Sequence, residues 1–269
     1  MTHSHAEIRA LLQLHGLTPS RALRQNFVGD ANTVRRIARL AEVGAGDHVV
    51  EIGPDLGSLS LALLETGAAL TVVEMDRFLV PILEQMLPDS RVVHAGALEV
   101  DWPALLGAES WVLVANLPYN VATPVVLTVL ERAPMVRRML VMVQKEVGER
   151  FAAKPRTKAY GAVSLKVAWS AKASMAGKVP PTVFVPKPTV DSALVPIHRP
   201  AERSTHNNPL PAVPRHDTPS SPTPTIAPPH HAAGELRRHF LENIEVQRPF
   251  PDPATAWDEA FRDNDGGVA

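Results

Sequence analysis

The sequence of 269 residues contains no cysteine and only two tyrosines. Without cysteine the chain can form neither a disulfide nor a thiolate metal site. The chain also has no long apolar run. A secretory signal would need such a run near the N-terminus, but that segment is interrupted by the polar residues His3, His5, Glu7 and Arg9. These absences predict a cytoplasmic protein with no membrane partner.

Net charge is small as well, at −1 with histidine neutral. A near-neutral balance counts mildly against a nucleic-acid partner, so any basic surface must be local. The eleven histidines show no His-x-x-x-His and no His/carboxylate spacing typical of zinc sites. No metal is therefore expected.

Up to about Pro200, short apolar runs alternate with helix-like segments, which is typical of an α/β fold with a mostly parallel sheet. The predicted strands are His48–Ile52, Leu70–Glu74, Arg91–His94, Trp111–Ala115, Met139–Gln144, Val163–Trp169 and Ala193–His198. The predicted helices are Asp30–Leu40 with Asp30 as its cap, Leu59–Thr66, Arg77–Leu87, Thr123–Arg132 and Glu146–Phe151.

After Pro200 the composition changes to Pro, Thr, Ser, His and Asn. Such a segment buries too little apolar surface to offset the entropy lost on ordering, so a disordered tail is predicted, with a weakly helical patch at Gly234–Glu245.

The tetrapeptide Asn116-Leu117-Pro118-Tyr119 directly follows a predicted strand. An Asn side-chain oxygen and a backbone carbonyl left unpaired beside proline can both accept hydrogen bonds from an exocyclic amine, and a tyrosine can stack on the ring that carries it. The alternative is a strand followed by an ordinary turn.

A glycine-rich turn, Glu51-Ile52-Gly53-Pro54-Asp55-Leu56-Gly57, joins the first predicted strand to a helix. Glu74 ends the next strand, where an acidic residue usually binds ribose hydroxyls. No Lys-Ser/Thr follows the glycines, so a phosphate-binding P-loop is not supported. A nucleoside ligand fits, either a nicotinamide dinucleotide or S-adenosylmethionine.

Two further segments combine amides, aromatics and prolines: Gln25-Asn26-Phe27 before the first helix, and Phe184-Val185-Pro186-Lys187-Pro188 before the last strand. Taken alone, the first is a capped amphipathic helix start and the second a proline-stiffened loop whose phenylalanine fills the core.

In their order along the chain, these segments resemble the motif series of the ribosomal RNA adenine dimethyltransferases, in particular the small-subunit (KsgA) branch. The resemblance covers roughly Leu23 to His198, about two thirds of the chain. It implies a Rossmann-like class I methyltransferase domain with a seven-stranded, mostly parallel sheet. It also implies S-adenosylmethionine as cofactor and two adjacent adenosines of small-subunit ribosomal RNA, or a pre-ribosomal particle, as substrate.

The resemblance also implies a role for each matching residue. Asn116 and the Leu117 or Pro118 carbonyl would hold the target amine, and Tyr119 and Phe184 would sandwich the flipped base. The residues expected at the cofactor are Gln25, Asn26 and Phe27 at its methionine end, Glu51, Gly53 and Gly57 at the turn, Glu74 at the ribose, and Met75, Gly96, Ala97 and Asn116.

Three departures from the family pattern are evident. Asp55 stands where glycine is usual, and Gly96 stands where the family has an aspartate that bonds the cofactor's adenine amine. Loss of one hydrogen bond would cost roughly 0.5–1.5 kcal/mol. The Pro-rich tail also replaces a small helical domain.

The sequence therefore divides into an N-terminal extension (1–22), a methyltransferase domain (23–199) and a tail (200–269). Three functions stay open: an active adenine N6-dimethyltransferase, a weak or inactive homologue that binds RNA during ribosome assembly, and a methyltransferase for another substrate. A basic cluster at Lys145, Arg150, Lys154, Arg156 and Lys158 is a candidate RNA surface or an ordinary solvated one. A monomer is expected.

Overall fold

The computed structural model describes residues 2–20, 23 and 25–200 of the chain. The predicted tail and its helical patch Gly234–Glu245 lie outside these residues.

A twisted central sheet forms the core of the described part. Its strands, with two short strands outside the sheet, are β1 (Phe27–Val28), β2 (His48–Ile52), β3 (Ala69–Glu74), β4 (Arg91–His94), β5 (Trp111–Asn116), β6 (Val136–Gln144), β7 (Lys172–Ala173), β8 (Gly177–Val179), β9 (Phe184–Val185) and β10 (Ser192–His198). The order in the main sheet is β4-β3-β2-β5-β6-β10-β7, with β8 also paired to β10. Strands β2 to β6 pair in parallel, and β10 runs antiparallel to β6.

Helices cover the sheet on both faces. In the described part they are α1 (His5–Leu14), α2 (Ala31–Leu40), α3 (Ser58–Leu64), α4 (Val80–Met86), α5 (Trp102–Leu106), α6 (Ala122–Arg132), α7 (Lys145–Phe151) and α8 (Ala162–Ser170), with a 3₁₀ turn at Pro181–Val183. Two apolar clusters pack on opposite faces of the sheet, which explains why strands such as β2 and β5 are almost continuously hydrophobic.

Most predicted elements are confirmed within a few residues at each end. Asp30 caps α2 as predicted, because its carboxylate accepts a hydrogen bond of 2.7 Å from the Thr33 amide.

The predicted strand Val163–Trp169 is wrong, because these residues lie in helix α8. Val163, Leu165, Val167 and Trp169 alternate with Ser164, Lys166 and Ala168, a pattern that favours a strand. Val163 and Val167 are also four residues apart, and the helix packs against α6 and α7. Ser164 Oγ accepts from the Gly161 amide and donates to the Arg150 carbonyl, which stabilises the helix start.

The sequence patterns also missed α1, α5 and the short strands. Helix α1 inserts Ile8 and Leu12 into the same apolar cluster as Phe27. Strands β1 and β9 pair Phe27 with Val185 and Val28 with Phe184, so two segments nearly 160 residues apart lie side by side.

Candidate active site

The sheet reverses its strand order between β2 and β5, and ligands in open α/β sheets bind at the carboxyl end of such a switch point. Here β2 ends beside Gly53 and β5 ends at Asn116. A side chain at Gly53, where φ is +65°, would lie 3.8 Å from the Asn116 carbonyl, so the two turns approach closely. A narrow cleft lies here, lined by Phe27, Val28, Glu51, Gly53, Pro54, Asp55, Leu56, Ser58, Leu59 and Asn116.

Asp55 lies in this turn with φ at +56°, a conformation that non-glycine residues rarely adopt. Burial raises the pKa of its carboxyl well above the usual value, and the nearby charges of Glu74 and Glu51 raise it further. The Asn116 side-chain amide lies close enough to lower that pKa in part. The turn therefore carries a carboxyl group that favours its neutral form.

Glu51 is in β2, two residues before Gly53, and is 1% exposed. Ser60 donates a 2.6 Å hydrogen bond to its Oε2. Burial raises the pKa of Glu51 to about 8, against the opposing effect of the Ser60 bond. The Ser60 bond joins β2 to helix α3 beside the turn.

Glu74 is the last residue of β3, and only one of its two carboxylate oxygens has a hydrogen-bond partner. Oε1 accepts from the Asp76 amide at 2.7 Å, whereas Oε2 is buried and has no hydrogen-bond partner among the described residues. Burial raises the pKa of Glu74 to about 7, and the Asp76 amide lowers it in part. An unpartnered buried carboxylate oxygen is costly unless a ligand supplies a donor, so this end of the site fits a ribose hydroxyl.

The segment before β1 closes over the same edge. Gln25 Nε2 donates to Asp76 Oδ2 at 2.8 Å, and Gln25 Oε1 accepts from the Ser20 amide at 2.8 Å. The Asn26 carbonyl accepts from Asn116 Nδ2 at 3.2 Å. Three predicted site segments, separated in sequence by up to 90 residues, are thus joined by hydrogen bonds.

The orientation of the Asn116 amide follows from its neighbours. The Asn26 carbonyl can only accept, so the NH2 of Asn116 must point toward it. Its Oδ1 has no donor among the described residues and is left to accept from a ligand.

The structure also distinguishes the two candidate carbonyls of the tetrapeptide. The Pro118 carbonyl already accepts from the Val121 and Ala122 amides at 3.1 Å, where α6 begins. The Leu117 amide donates to the Met142 carbonyl at 3.0 Å, while no described group donates to the Leu117 carbonyl. Leu117 therefore offers the free acceptor beside Asn116.

The two predicted aromatic partners lie in different environments. Tyr119 is half-buried, its hydroxyl lies 2.9 Å from Ser192 Oγ, and burial raises its pKa. Phe184 is 3% exposed and packs in the apolar cluster with Phe27. In the described part of the chain the rings of Tyr119 and Phe184 do not stack on each other.

Met75, Gly96 and Ala97 follow the ends of β3 and β4, so they share this edge of the sheet with Glu74. Met75 is 47% exposed. Gly57, with φ at +76°, precedes α3, and a side chain there would meet Met86 Sδ at 2.8 Å.

Sequence reasoning missed Asp76, which holds Gln25, and Ser192, which holds Tyr119. Asp76 could have been found from its place two residues after Glu74. Ser192 ends the motif that begins at Phe184, but its contact with Tyr119, 73 residues away, gave no signal in the sequence.

No group of three or more His, Asp or Glu side chains in residues 2–20, 23 and 25–200 could hold a metal ion. None of the helices in that part of the chain is long and apolar enough to cross a membrane.

Comparison with known proteins gives one family and a consistent set of relatives. A family model described as ribosomal RNA adenine dimethylase matches residues 18–209. The chain is 50% identical over 200 residues to a ribosomal RNA small subunit methyltransferase A from Cutibacterium acnes, covering 72% of this chain and 67% of that protein. A protein of the same name from Leifsonia xyli is 51% identical over 203 residues, covering 72% and 71%. The chain thus spans about two thirds of these relatives' length.

Among solved structures, the 23S rRNA methyltransferase ErmE is 28% identical with a TM-score of 0.59, covering 66% of this chain and 71% of that one. A dimethyladenosine transferase from Plasmodium falciparum is 23% identical with a TM-score of 0.57, covering 64% and 62%, and shares the fold.

Proposed function

The chain belongs to the ribosomal RNA adenine dimethylase family, and from that premise we propose that it transfers methyl groups from S-adenosylmethionine to the N6 amines of two adjacent adenosines in small-subunit ribosomal RNA. Its fold is that of class I methyltransferases. The observation that carries the proposal is the pair of unpaired acceptors, Asn116 Oδ1 and the Leu117 carbonyl, at the carboxyl end of β5.

These two acceptors suit an adenine amine because it has two N–H donors. Each acceptor takes one of them, which orients the nitrogen lone pair away from the two bonds. The bound S-adenosylmethionine supplies an electrophilic methyl group on a sulfonium. The protein must mainly align the nitrogen with that methyl group and stabilise the charge that develops. The methylated nitrogen releases one proton to solvent, which leaves one N–H, so the second transfer proceeds with one acceptor bond fewer.

The proposed cofactor contacts follow the edge of the sheet. Glu74 Oε2 accepts from a ribose hydroxyl, which satisfies its buried oxygen. The methionine end is covered by Gln25, Asn26 and Phe27. The hydrogen bonds from Gln25 to Asp76 and from Asn116 to the Asn26 carbonyl support this role. Gly53 and Gly57 allow the turn to approach the ligand, while Glu51 lies beneath it. Met75, Gly96 and Ala97 flank the adenine.

Tyr119 and Phe184 are proposed to hold the flipped target base. Tyr119 is close to Asn116 in the chain and is held by Ser192. Phe184 is buried in the RNA-free protein, so its part in stacking requires that the β1–β9 pair open or shift when RNA binds.

The basic cluster is the proposed RNA contact. Helix α7 begins at the carboxyl end of β6, next to β5, so the cluster is carried on the same edge of the sheet as Asn116. Arg150, Lys154, Arg156 and Lys158 are exposed, while Lys145 pairs with Glu149 at 3.2 Å. Phosphate contacts by these cations would be sensitive to salt.

One observation favours a second candidate, a weakly catalytic homologue that binds ribosomal RNA during assembly. The Asp55 carboxylate occupies the turn that must approach the cofactor. This candidate predicts almost no S-adenosylmethionine binding by the wild type, and a large gain in affinity for Asp55→Gly. Useful wild-type affinity would favour the methyltransferase.

The deciding experiment is transfer of labelled methyl groups from S-adenosylmethionine to small ribosomal subunits that lack adenine dimethylation, followed by nucleoside analysis. Dimethyladenosine in the product is the expected result. No transfer, with an authentic family enzyme active on the same particles, would overturn the proposal.

A further inference from the structure

A carboxylate from another position fills the gap beside Gly96. A Cβ added at Gly96 would lie 3.0 Å from Glu99 Cδ and 3.5 Å from Glu99 Oε1, with Oε2 nearer still. In an aspartate the carboxylate oxygens lie about 2.4 Å from their own Cβ. The Glu99 carboxylate therefore occupies space that an aspartate side chain at position 96 would reach.

The backbone holds Glu99 in this place. Directly after β4, the Glu99 and Val100 amides both donate to the Gly96 carbonyl, at 3.0 and 3.2 Å. This tight turn brings a residue three positions later back over Gly96. The absence of a side chain at Gly96 leaves the room that the longer glutamate needs.

The Glu99 carboxylate is also available to a ligand. It is exposed, and within the described residues it accepts no hydrogen bond and forms no ion pair. Asp101, the other nearby acid, is already used, because its Oδ1 accepts from the Ala104 amide at the start of α5.

Glu99 lies next to the ribose end of the site. Glu74 pairs with His94 across β3 and β4, and the Ala95 amide donates to the Glu74 carbonyl at 3.0 Å. Neighbouring strands are about 4.8 Å apart, so a base attached to a ribose at Glu74 lies over the residues that follow β4. Met75 and Leu98, 47% and 38% exposed, offer apolar surface there for the faces of a purine.

We propose that Glu99 accepts a hydrogen bond from the exocyclic amine of the cofactor's adenine and makes the site select adenine over a 6-oxopurine. This inference rests on the proposed function, because it assumes that the site binds S-adenosylmethionine. It assigns base specificity to a residue outside the motif series, three positions after the glycine.

The test measures binding, not methyl transfer. The dissociation constants of S-adenosylhomocysteine and its inosine counterpart, S-inosylhomocysteine, are determined by calorimetry for the full-length wild type, Glu99→Ala and Glu84→Ala. Glu84 is an exposed acid on α4 that forms no hydrogen bond or ion pair with the described residues, so its variant controls for the change in charge. A hydrogen bond to a charged group corresponds to a factor of about 10 to 100 in affinity.

We expect the wild type and Glu84→Ala to bind the adenosine compound at least about tenfold more tightly than the inosine compound. Glu99→Ala should lose most of that preference by weakening the adenosine compound alone. Adding Gly96→Asp to Glu99→Ala should restore the preference, since an aspartate there reaches the same space. In the wild-type background Gly96→Asp should add little, because the two carboxylates would compete for one place.

An unchanged preference in Glu99→Ala would overturn the inference and leave the proposed function standing. Equal weakening of both compounds would also overturn it, because that pattern indicates a structural role. Failure of the wild type to bind S-adenosylhomocysteine at all would overturn both.

Discussion

At the scale of single residues, Asn116 connects the proposed cofactor side of the site with the proposed target side. Its NH2 group binds the Asn26 carbonyl, and its Oδ1 is open to a substrate amine. The two groups of one side chain can therefore be tested separately.

We expect Asn116→Ala to reduce methyl transfer by about a hundredfold or more, as loss of a single preorganised group does in other active sites. Affinity for S-adenosylmethionine should fall by no more than about tenfold, because only the contacts of the Asn116 side chain with Asn26 and Asp55 are lost on that side. Single-turnover transfer and calorimetry measure the two effects. Asn120→Ala, an exposed asparagine in the same loop, is the control. Equal losses of transfer and affinity would contradict the assigned role.

Glu74 predicts a pH dependence of cofactor binding. The pKa of Glu74 is about 7, with the carboxyl group of Asp76 as a charged neighbour, so the Glu74 carboxylate is increasingly protonated as pH falls from 8 to 6. The ionised form is the better acceptor for ribose hydroxyls, so affinity should rise with pH across this range. Glu74→Gln should weaken binding at pH 8 by about 1–3 kcal/mol and flatten the profile. A profile as steep as that of the wild type would exclude Glu74 as the source.

Glu51 predicts a pH dependence of stability. Its pKa is raised from 4.5 to about 8 in the folded protein. Below pH 4.5 the carboxyl is protonated in both the folded and the unfolded protein, so its raised pKa does not affect stability. As pH rises toward 8, ionisation favours the unfolded state and the folded protein loses stability progressively. Between pH 5 and 8.5 the wild type should therefore lose a few kcal/mol of unfolding free energy relative to Glu51→Gln. Urea unfolding at both pH values checks this, and a constant difference between the two proteins would refute it.

At the scale of elements, Arg199 ties the end of β10 to helix α6. Its guanidinium donates to the carbonyls of Val129, Leu130 and Ala133 at 3.1, 2.7 and 3.3 Å, and to that of Val136 at 2.9 Å. Three of these carbonyls lie at the end of α6, where those of Val129 and Ala133 also accept from the Ala133 and Val136 amides, so the guanidinium fixes the C-terminal end of the helix that begins just after the Asn116–Tyr119 tetrapeptide.

Replacing this residue, in Arg199→Met, should lower the free energy of unfolding by about 1–3 kcal/mol, because four carbonyl contacts are lost. Arg132→Met removes an exposed cation from the same helix end and should cost less than about 1 kcal/mol. Chemical denaturation of both variants compares them. Similar effects would mean that charge near the helix end, and not the hydrogen bonds, supplies the stability.

At the scale of the whole molecule, the division into an extension, a domain and a tail remains a prediction. Helix α1 belongs to the predicted extension, yet its residues Ile8 and Leu12 pack in the same apolar cluster as Phe27 of the domain. Burial of two such side chains contributes on the order of 3–6 kcal/mol.

A chain of residues 1–200 should therefore bind S-adenosylmethionine with the affinity of the full chain and unfold at the same temperature. A chain of residues 23–200 should unfold at a markedly lower temperature, because the core loses Ile8 and Leu12. Differential scanning calorimetry and cofactor titration measure both. Equal unfolding temperatures for the two shortened chains would show that α1 contributes little.

Much of this protein was determined by local sequence alone. Continuous apolar runs such as His48–Ile52 and Trp111–Ala115 predicted the central strands, because strands buried on both faces leave no other pattern. The family followed from an ordered set of short motifs, which requires no knowledge of contacts.

Only the tertiary structure decided the features that depend on partners far along the chain. The residues Val163–Trp169 fit a strand or a helix locally, and packing against α6 and α7 made them helical. The start of α6 occupies the Pro118 carbonyl, which leaves the Leu117 carbonyl as the free acceptor. The orientation of the Asn116 amide depends on Asn26, 90 residues away. Glu99 fills the space beside Gly96 because the chain turns back after β4. A sequence pattern reports which groups are present, whereas hydrogen-bond partners are set by where the folded backbone brings distant groups together.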